Sequence, residues 1–139
     1  MPRNGTGGRI IFVSATLHYA GTPLQAHVSA AKAAVDALSA STAIELGPLG
    51  VTSNIIAPGP IAETEGVARL VANTDAEEAG KTIPLGRFGT VREIADATVF
   101  LFSDAGSYVN GVQLVGELLH SPVHSISDYH ETGHKLIGT

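Results

Sequence analysis

Cysteine and tryptophan are absent from the 139 residues, and the single methionine opens the chain. Without a thiol there is no disulfide, no cysteine nucleophile and no cysteine-ligated zinc. That composition fits a reducing compartment. Long apolar runs are also missing, and none approaches the roughly 20 residues that span a bilayer as a helix. Residues Met1 to Gly8 are polar and glycine-rich, so no secretory signal is expected in them. An excess of positive charge is lacking too. A net charge of -5 argues against broad nucleic-acid binding, although an anionic cofactor needs only a local basic pocket. Aromatic residues are few, at 5%, and there is no internal repeat. The length suits one domain or part of one. It can bury a core, but a parallel-sheet enzyme normally has more chain.

What is present alternates between two kinds of segment. Gly7-Gly8 precede the apolar run Arg9-Ile10-Ile11-Phe12-Val13-Ser14, which suits a strand buried on both faces. After a loop through Ala20-Gly21-Thr22-Pro23, an alanine-rich helix is predicted over Leu24 to Leu46, ended by Gly47-Pro48. Val28, Ala31, Val35, Leu38 and Ala43 recur along it at helical spacing, and its many alanines allow another helix to approach closely. Val51 to Ala57 reads as the next strand, stopped by Pro58-Gly59-Pro60. A polar segment from Ile61 to Lys81 is expected to hold one short helix, around Glu65 to Val71. Leu85 to Gly89 is a turn, and Thr90 with Glu93 forms a capping box for a helix carrying Ile94, Ala95, Val99 and Phe102. Tyr108-Val109-Asn110-Gly111 turns into a last strand, Val112 to Val115. Strand, helix, strand, helix, strand in that order indicates an α/β fold with a parallel, Rossmann-like doubly wound sheet, present in part.

Beyond Gly116 the pattern decays. His120, His124, His130 and His134 lie there, with Asp128 and Glu131 nearby. No pair falls in a recognisable ligand motif, so residues 118–139 read as a divergent, loosely ordered tail and no metal site is expected.

The ordered series of motifs resembles the C-terminal half of the short-chain dehydrogenase/reductase superfamily over residues 7–117. It is carried by Gly8-Arg9-Ile10-Ile11, Ala30-Ala31-Lys32-Ala33-Ala34-Val35 and Asn54-Ile55-Ile56-Ala57-Pro58-Gly59-Pro60. Pro84-Leu85-Gly86-Arg87-Phe88-Gly89, Glu93-Ile94-Ala95, Phe100-Leu101 and Tyr108-Val109-Asn110-Gly111 continue it. The superfamily's Gly-rich turn, which receives the cofactor pyrophosphate at a helix N-terminus, has no counterpart, since no G-x-x-x-G-x-G occurs. The chain is therefore expected to be a fragment, without the adenosine half of the cofactor site. Within the superfamily it most resembles the peroxisomal 2,4-dienoyl-CoA reductases. Ser14-Ala15-Thr16-Leu17, Leu24-Gln25-Ala26-His27 and Ala31 to Ala37 carry this, with Ala57 to Ile61, Thr64-Glu65-Gly66 and Arg69-Leu70. General carbonyl reductases place serine at the position of Ala15 and tyrosine at that of Val28, and this chain lacks both, as dienoyl-CoA reductases of this type do.

The resemblance implies specific roles. Lys32 would be catalytic and would hold the nicotinamide ribose hydroxyls, a task suited to an ammonium with three donors. Pro58, Gly59, Pro60 and Ile61 would line the nicotinamide, at the strand end where α/β sheets bind ligands. Thr64 has a hydroxyl that could meet the diphosphate, and Arg69 would face the acyl-CoA substrate with a phosphate-matching guanidinium fork. Reduction of a 2,4-dienoyl-CoA puts hydride on the far end of a conjugated thioester. The resulting dienolate can be held by hydrogen bonds at the thioester oxygen and protonated at carbon by an acid-held water. The family places one such acid, followed by Gly-Gly, at the end of the last strand, where this chain has Glu117-Leu118-Leu119. Glu117 keeps the carboxylate, with one more methylene. Ser14, Thr16, His18, Tyr19 and His27 are polar but badly placed as donors. Tyr19 lies thirteen residues before Lys32, and His27 points about 100° around the helix from the missing tyrosine's place.

The leading expectation is NADPH-dependent reduction of a 2,4-dienoyl-CoA to a 3-enoyl-CoA in unsaturated fatty-acid β-oxidation, the fragment itself being inactive or active. One alternative is another member of the superfamily, acting on a carbonyl or enoyl substrate. The other is a non-catalytic association module, because the alanine-rich helix resembles the one that builds the superfamily's oligomer interface. A homo-oligomer is expected at full length, with no nucleic-acid or membrane partner. Peroxisomal localisation follows from the resemblance alone, as the last residues Leu136 to Thr139 are not a Ser-Lys-Leu type address.

Overall fold

The computed structural model describes residues 7–21, 24–70 and 75–117, apart from the side chains of residues 20, 69 and 70. Three strands, β1 (Gly8–Val13), β2 (Val51–Ala57) and β3 (Gln113–Val115), form a parallel sheet in the order β1-β2-β3. Gly8 pairs with Val51 and Val13 with Ile56, while Ile55 to Ala57 pair with Gln113 to Val115. The central strand is the core: Ser53, Asn54, Ile55, Ile56 and Ala57 are all buried. Its β-branched apolar run is what a strand covered on both faces requires.

The described residues also form five α-helices: α1 (Leu17–Ala20), α2 (Ala26–Leu46), α3 (Glu65–Leu70), α4 (Ala76–Lys81) and α5 (Val91–Phe102). The α/β class and the parallel sheet agree with the sequence expectation. Ser39 of α2 and Ser53 of β2 share a buried hydrogen bond, 3.0 Å between hydroxyls, which sets α2 against one face. Arg9 and Thr52, neighbours in the register, point to the other face, where Arg9 reaches Asp104 just beyond α5. The α5 helix packs on β1 and β2 from that side. Both crossovers step in the same direction across the sheet but use opposite faces, so they have opposite hand. One of them is the uncommon left-handed kind.

Several local expectations are corrected. The long helix starts at Ala26, because Leu24 sits at φ +63° and cannot be helical. Its end at Leu46 is as expected, though Gly47 is still right-handed and opens a 3₁₀ turn, Gly47–Leu49, that the left-handed Gly50 closes. The buried face of α2 follows the expected apolar series only in part. Ala43 is buried and Val28 and Val35 half-buried, but Ala31 and Leu38 are exposed, and Asp36 and Ser39 are buried instead because polar partners on α1 and β2 meet them. Asp75 caps α4 through its own carboxylate, a helix the sequence reading did not anticipate. The Thr90–Glu93 capping box is present as expected.

Before β3, the Asn54 amide uses both of its ends. Its nitrogen donates to the Val109 carbonyl at 2.9 Å, and its oxygen accepts from the Val112 amide at 3.1 Å. Asn110 accepts from the Ser53 amide and donates to the Ala43 carbonyl. These two asparagines fix the turn into β3, which Gly111 completes at φ +73°.

Candidate active site

The carboxyl ends of all three strands lie along one edge of the sheet. At the end of β1, the Lys32 ammonium donates to the Val13 carbonyl at 3.0 Å. The next residue, Ser14, is buried. Its amide donates to the Ile56 carbonyl at 2.8 Å, and its hydroxyl makes a long contact, 3.5 Å, with the Lys32 carbonyl. Lys32 thus lies across the end of β1, half-buried.

At the end of β2 comes the Pro58-Gly59-Pro60 turn, also half-buried. A Cβ on Gly59 would stand 2.8 Å from the Glu117 carbonyl oxygen and 3.1 Å from its Cβ. Only glycine allows this approach. The chain leaving β3 runs against the turn, with the Gly116 amide donating to the Ala57 carbonyl at 3.0 Å. The structure therefore brings the Glu117 backbone to the Pro58–Pro60 turn.

Ile61 is held in a short parallel pairing with Gly89. The Gly89 amide donates to the Pro60 carbonyl and the Ala62 amide to the Gly89 carbonyl, at 3.0 and 2.8 Å. This closes the base of the excursion that carries α3 and α4. Thr64 starts α3: its hydroxyl donates to the Ile61 carbonyl at 2.7 Å and accepts from the Val67 amide at 3.3 Å. Its only hydroxyl proton is thus committed, and meeting a diphosphate requires giving up the Ile61 bond. Arg69 lies on α3, and its side chain is outside the described residues.

Val28 and Ala15 are half-buried and carry no polar atom. His27 is exposed. His18 and Tyr19 turn instead to a group that the sequence reading passed over. The Asp36 carboxylate is buried in α2, one turn beyond Lys32. His18 Nε2 lies 2.7 Å from Asp36 Oδ2, and the Tyr19 hydroxyl donates to the same oxygen at 2.9 Å. Burial alone pushes the Asp36 carboxyl up, but hydrogen bonding from Ser14, Tyr19 and His18 outweighs it and holds the group below the ordinary aspartate range. Burial, the bond to Asp36 and the charge of Asp36 push the Tyr19 hydroxyl up to about 12. An aspartate in an alanine-rich helix reads as solvent-facing. Its spacing of four from Lys32, which puts both on one helix face, was the available signal.

Among the described residues no cluster of three or more His, Asp or Glu could hold a metal, and no helix is long and apolar enough to cross a membrane. The four histidines beyond Gly116 lie outside the described residues. A shallow cavity of about 260 Å³, lined by Gly7, Gly8, Arg9, Gly50, Thr52 and Ser107, opens at the amino ends of the strands, away from Lys32.

Comparison with known proteins places this geometry in context. A family model described as enoyl-(acyl carrier protein) reductase, of the short-chain alcohol dehydrogenase type, matches residues 1–116. The peroxisomal 2,4-dienoyl-CoA reductase of Saccharomyces cerevisiae is 56% identical over 108 residues, which is 78% of this chain and 37% of that protein. The peroxisomal 2,4-dienoyl-CoA reductase of Danio rerio is 50% identical over 113 residues, 80% of this chain and 37% of that protein. The chain therefore spans a little over a third of these relatives' length. A solved structure of a gluconate 5-dehydrogenase-like protein from Beutenbergia cavernae, carrying NADP, superposes with a TM-score of 0.73 at 37% identity, over 78% of this chain and 44% of that one.

Proposed function

The chain belongs to the short-chain dehydrogenase/reductase family, and we propose that it serves NADPH-dependent reduction of a 2,4-dienoyl-CoA to a 3-enoyl-CoA in peroxisomal β-oxidation of unsaturated fatty acids. The observation that carries this reading is that Lys32 at the end of β1 and the Pro58–Pro60 turn with Glu117 at the ends of β2 and β3 lie on the same edge of the sheet, in a chain whose positions 15 and 28 hold only carbon side chains. Carbonyl reduction develops an alkoxide that needs a proton close by, and neither Ala15 nor Val28 can give one. A dienolate delocalises its charge to a distant thioester oxygen and is protonated at carbon, so it does not need a donor at those two places.

The residues fit a nicotinamide nucleotide by the chemistry of their donors. Lys32 offers an ammonium for ribose hydroxyls, and the Pro58–Pro60 turn offers a flat, backbone-lined wall. When bound, the cofactor supplies the hydride. Lys32 would hold and orient the nicotinamide side, and Pro58, Gly59, Pro60 and Ile61 would shape the wall. Glu117 would hold the protonating water. Thr64 would meet the diphosphate if its Ile61 bond exchanges, and by the resemblance Arg69 would serve the acyl-CoA. The test is a titration of the chain with NADPH followed by nicotinamide fluorescence, then NADPH oxidation with a 2,4-dienoyl-CoA. Lys32→Ala is expected to weaken binding about tenfold or more, the loss of a charged hydrogen bond. No binding by the unaltered chain overturns its claim to activity, and unchanged binding by Lys32→Ala overturns the assignment of the lysine.

A second reading, association without catalysis, is favoured by the outer side of α2, where Leu38 and Ile44 are 54% and 79% exposed among alanines. Sedimentation of the chain separates the two readings: a self-associating chain that binds no NADPH supports the second.

A further inference from the structure

We propose that Asp36 is a positioning residue for Lys32, acting through the docking of α1 and the end of β1 onto α2. The inference rests on the reading that Lys32 serves the cofactor.

Asp36 is buried, and a buried carboxylate is costly unless it is hydrogen-bonded. Its Oδ2 collects two groups from α1, His18 Nε2 and the Tyr19 hydroxyl. A four-residue helix does not hold itself together, so the place of α1 is dictated by what it docks on. Only Ser14, Ala15 and Thr16 separate α1 from β1. Anchoring α1 therefore restricts the Val13–Ser14 peptide, and the Val13 carbonyl is the acceptor of the Lys32 ammonium. Two side chains one turn apart on the same helix thus grip the same piece of chain, Lys32 directly and Asp36 through α1.

The third strand is tied in as well. Tyr19 Oη lies 2.7 Å from Gln113 Oε1 as well as 2.9 Å from Asp36. A phenol has one proton, and the charged acceptor is the stronger claimant. The Gln113 amide then turns so that its NH2 donates to the Tyr19 oxygen, an exchange of nearly indistinguishable atoms. Gln113 opens β3, whose far end leads to Glu117. One carboxylate thereby registers α1, α2 and β3, the elements that carry or adjoin Lys32, the end of β1 and Glu117. His18 Nδ1 is buried without a partner among the described residues, so the cluster retains capacity for one more polar group.

The test reads Lys32 itself. The chain has three lysines, Lys32, Lys81 and Lys135, so a lysine-ε-labelled sample gives few signals, and Lys32→Arg identifies the one of interest. Asp36→Asn keeps the shape but removes the charge, and Tyr19→Phe removes one hydroxyl in case the first variant does not fold. Both are expected to move the Lys32 signal towards that of a free lysine and to weaken NADPH binding severalfold. Ser39→Ala, which breaks the buried Ser39–Ser53 bond one turn further along, controls for lost stability and is expected to leave the Lys32 signal in place. A Lys32 signal unmoved in both Asp36→Asn and Tyr19→Phe overturns the proposal, as does an equal displacement in Ser39→Ala. A displaced signal in a chain that binds no NADPH upholds the positioning and overturns the cofactor reading instead.

Discussion

The two long helices cover opposite faces of one sheet and are built in opposite ways. The α5 helix has an apolar inner side, with Leu101 fully buried, and a start fixed by its own capping box. The α2 helix buries Asp36, Ser39 and Ala43 and turns Leu38 and Ile44 outward. Volume holds α5, whereas named polar partners hold α2: Ser53 for Ser39, His18 and Tyr19 for Asp36. Apolar contact tolerates small shifts of one surface along another. A buried hydrogen bond does not, because leaving one partner unsatisfied costs about 1–3 kcal/mol. The helix that carries Lys32 is the one with such bonds, to the sheet at Ser39 and, next to Lys32, to α1 at Asp36.

Leu101→Ala gives the largest expected break in the comparison. The side chain is 1% exposed, and removing it should cost about 2–5 kcal/mol, read as a lowered denaturant midpoint. NADPH affinity, measured where the variant is still folded, should change little. A loss in affinity as large as that of Lys32→Ala would show that the α5 face also positions the site.

Gly59→Ala comes next and acts where the two halves of the site touch. The new Cβ meets backbone oxygen at 2.8 Å, which cannot move without carrying the chain after β3 with it. Overpacking of this kind costs about 1–3 kcal/mol. Here the damage should appear as weaker NADPH binding as well as a lower midpoint. A variant of unchanged midpoint and affinity would mean that Glu117 does not lie against the turn in solution.

The same contrast decides what could be read from the sequence. The strands, α5 and its capping box were legible because each depends on local pattern: β-branched runs, helical periodicity, and Thr90 three residues before Glu93. The positions of Lys32 and the Pro58–Pro60 turn came from ordered motifs, and the structure places both at strand ends. The polar part of the inner face of α2 has no periodic signal because tertiary partners set it: Ser39 is buried because Ser53 faces it. Asp36 was missed for the same reason, since its partners come from a helix of four residues with no periodic signal. The α4 helix carries little periodic signal because it is short and polar, started by the Asp75 cap and closed by Lys81 pairing with Glu77 and Glu78.

Thr90→Ala sharpens the comparison at smaller scale. It removes the hydroxyl that accepts from the Glu93 amide and should cost about 1 kcal/mol, the usual loss for such a cap. The effect should stay within α5, with hydrogen exchange speeding in its first turn and the Lys32 environment unchanged. Faster exchange spreading into α2 would show that the two faces are not independent.

Acid separates the faces most finely. Bonds from the Arg87 guanidinium, then from the Thr90 backbone and hydroxyl, hold the Glu93 carboxyl down at about 2. Asp36 is also lowered, burial being outweighed by its hydrogen bonds. A carboxyl whose folded value lies below its unfolded value adds stability above the unfolded value, and that contribution fades as pH falls through the folded value. Both groups therefore destabilise the chain on acidification, Glu93 between about 4.5 and about 2. Glu93 is solvent-exposed, so its share should be small and screened by salt. Asp36 is buried, so its share should survive salt. In denaturant titrations from pH 7 downward, Glu93→Gln should flatten the acid limb at low salt and make little difference at high salt. Asp36→Asn should flatten it at both. Equal salt dependence of the two variants would mean that Asp36 is as wet as Glu93, and the polar grip on α2 would then not exist.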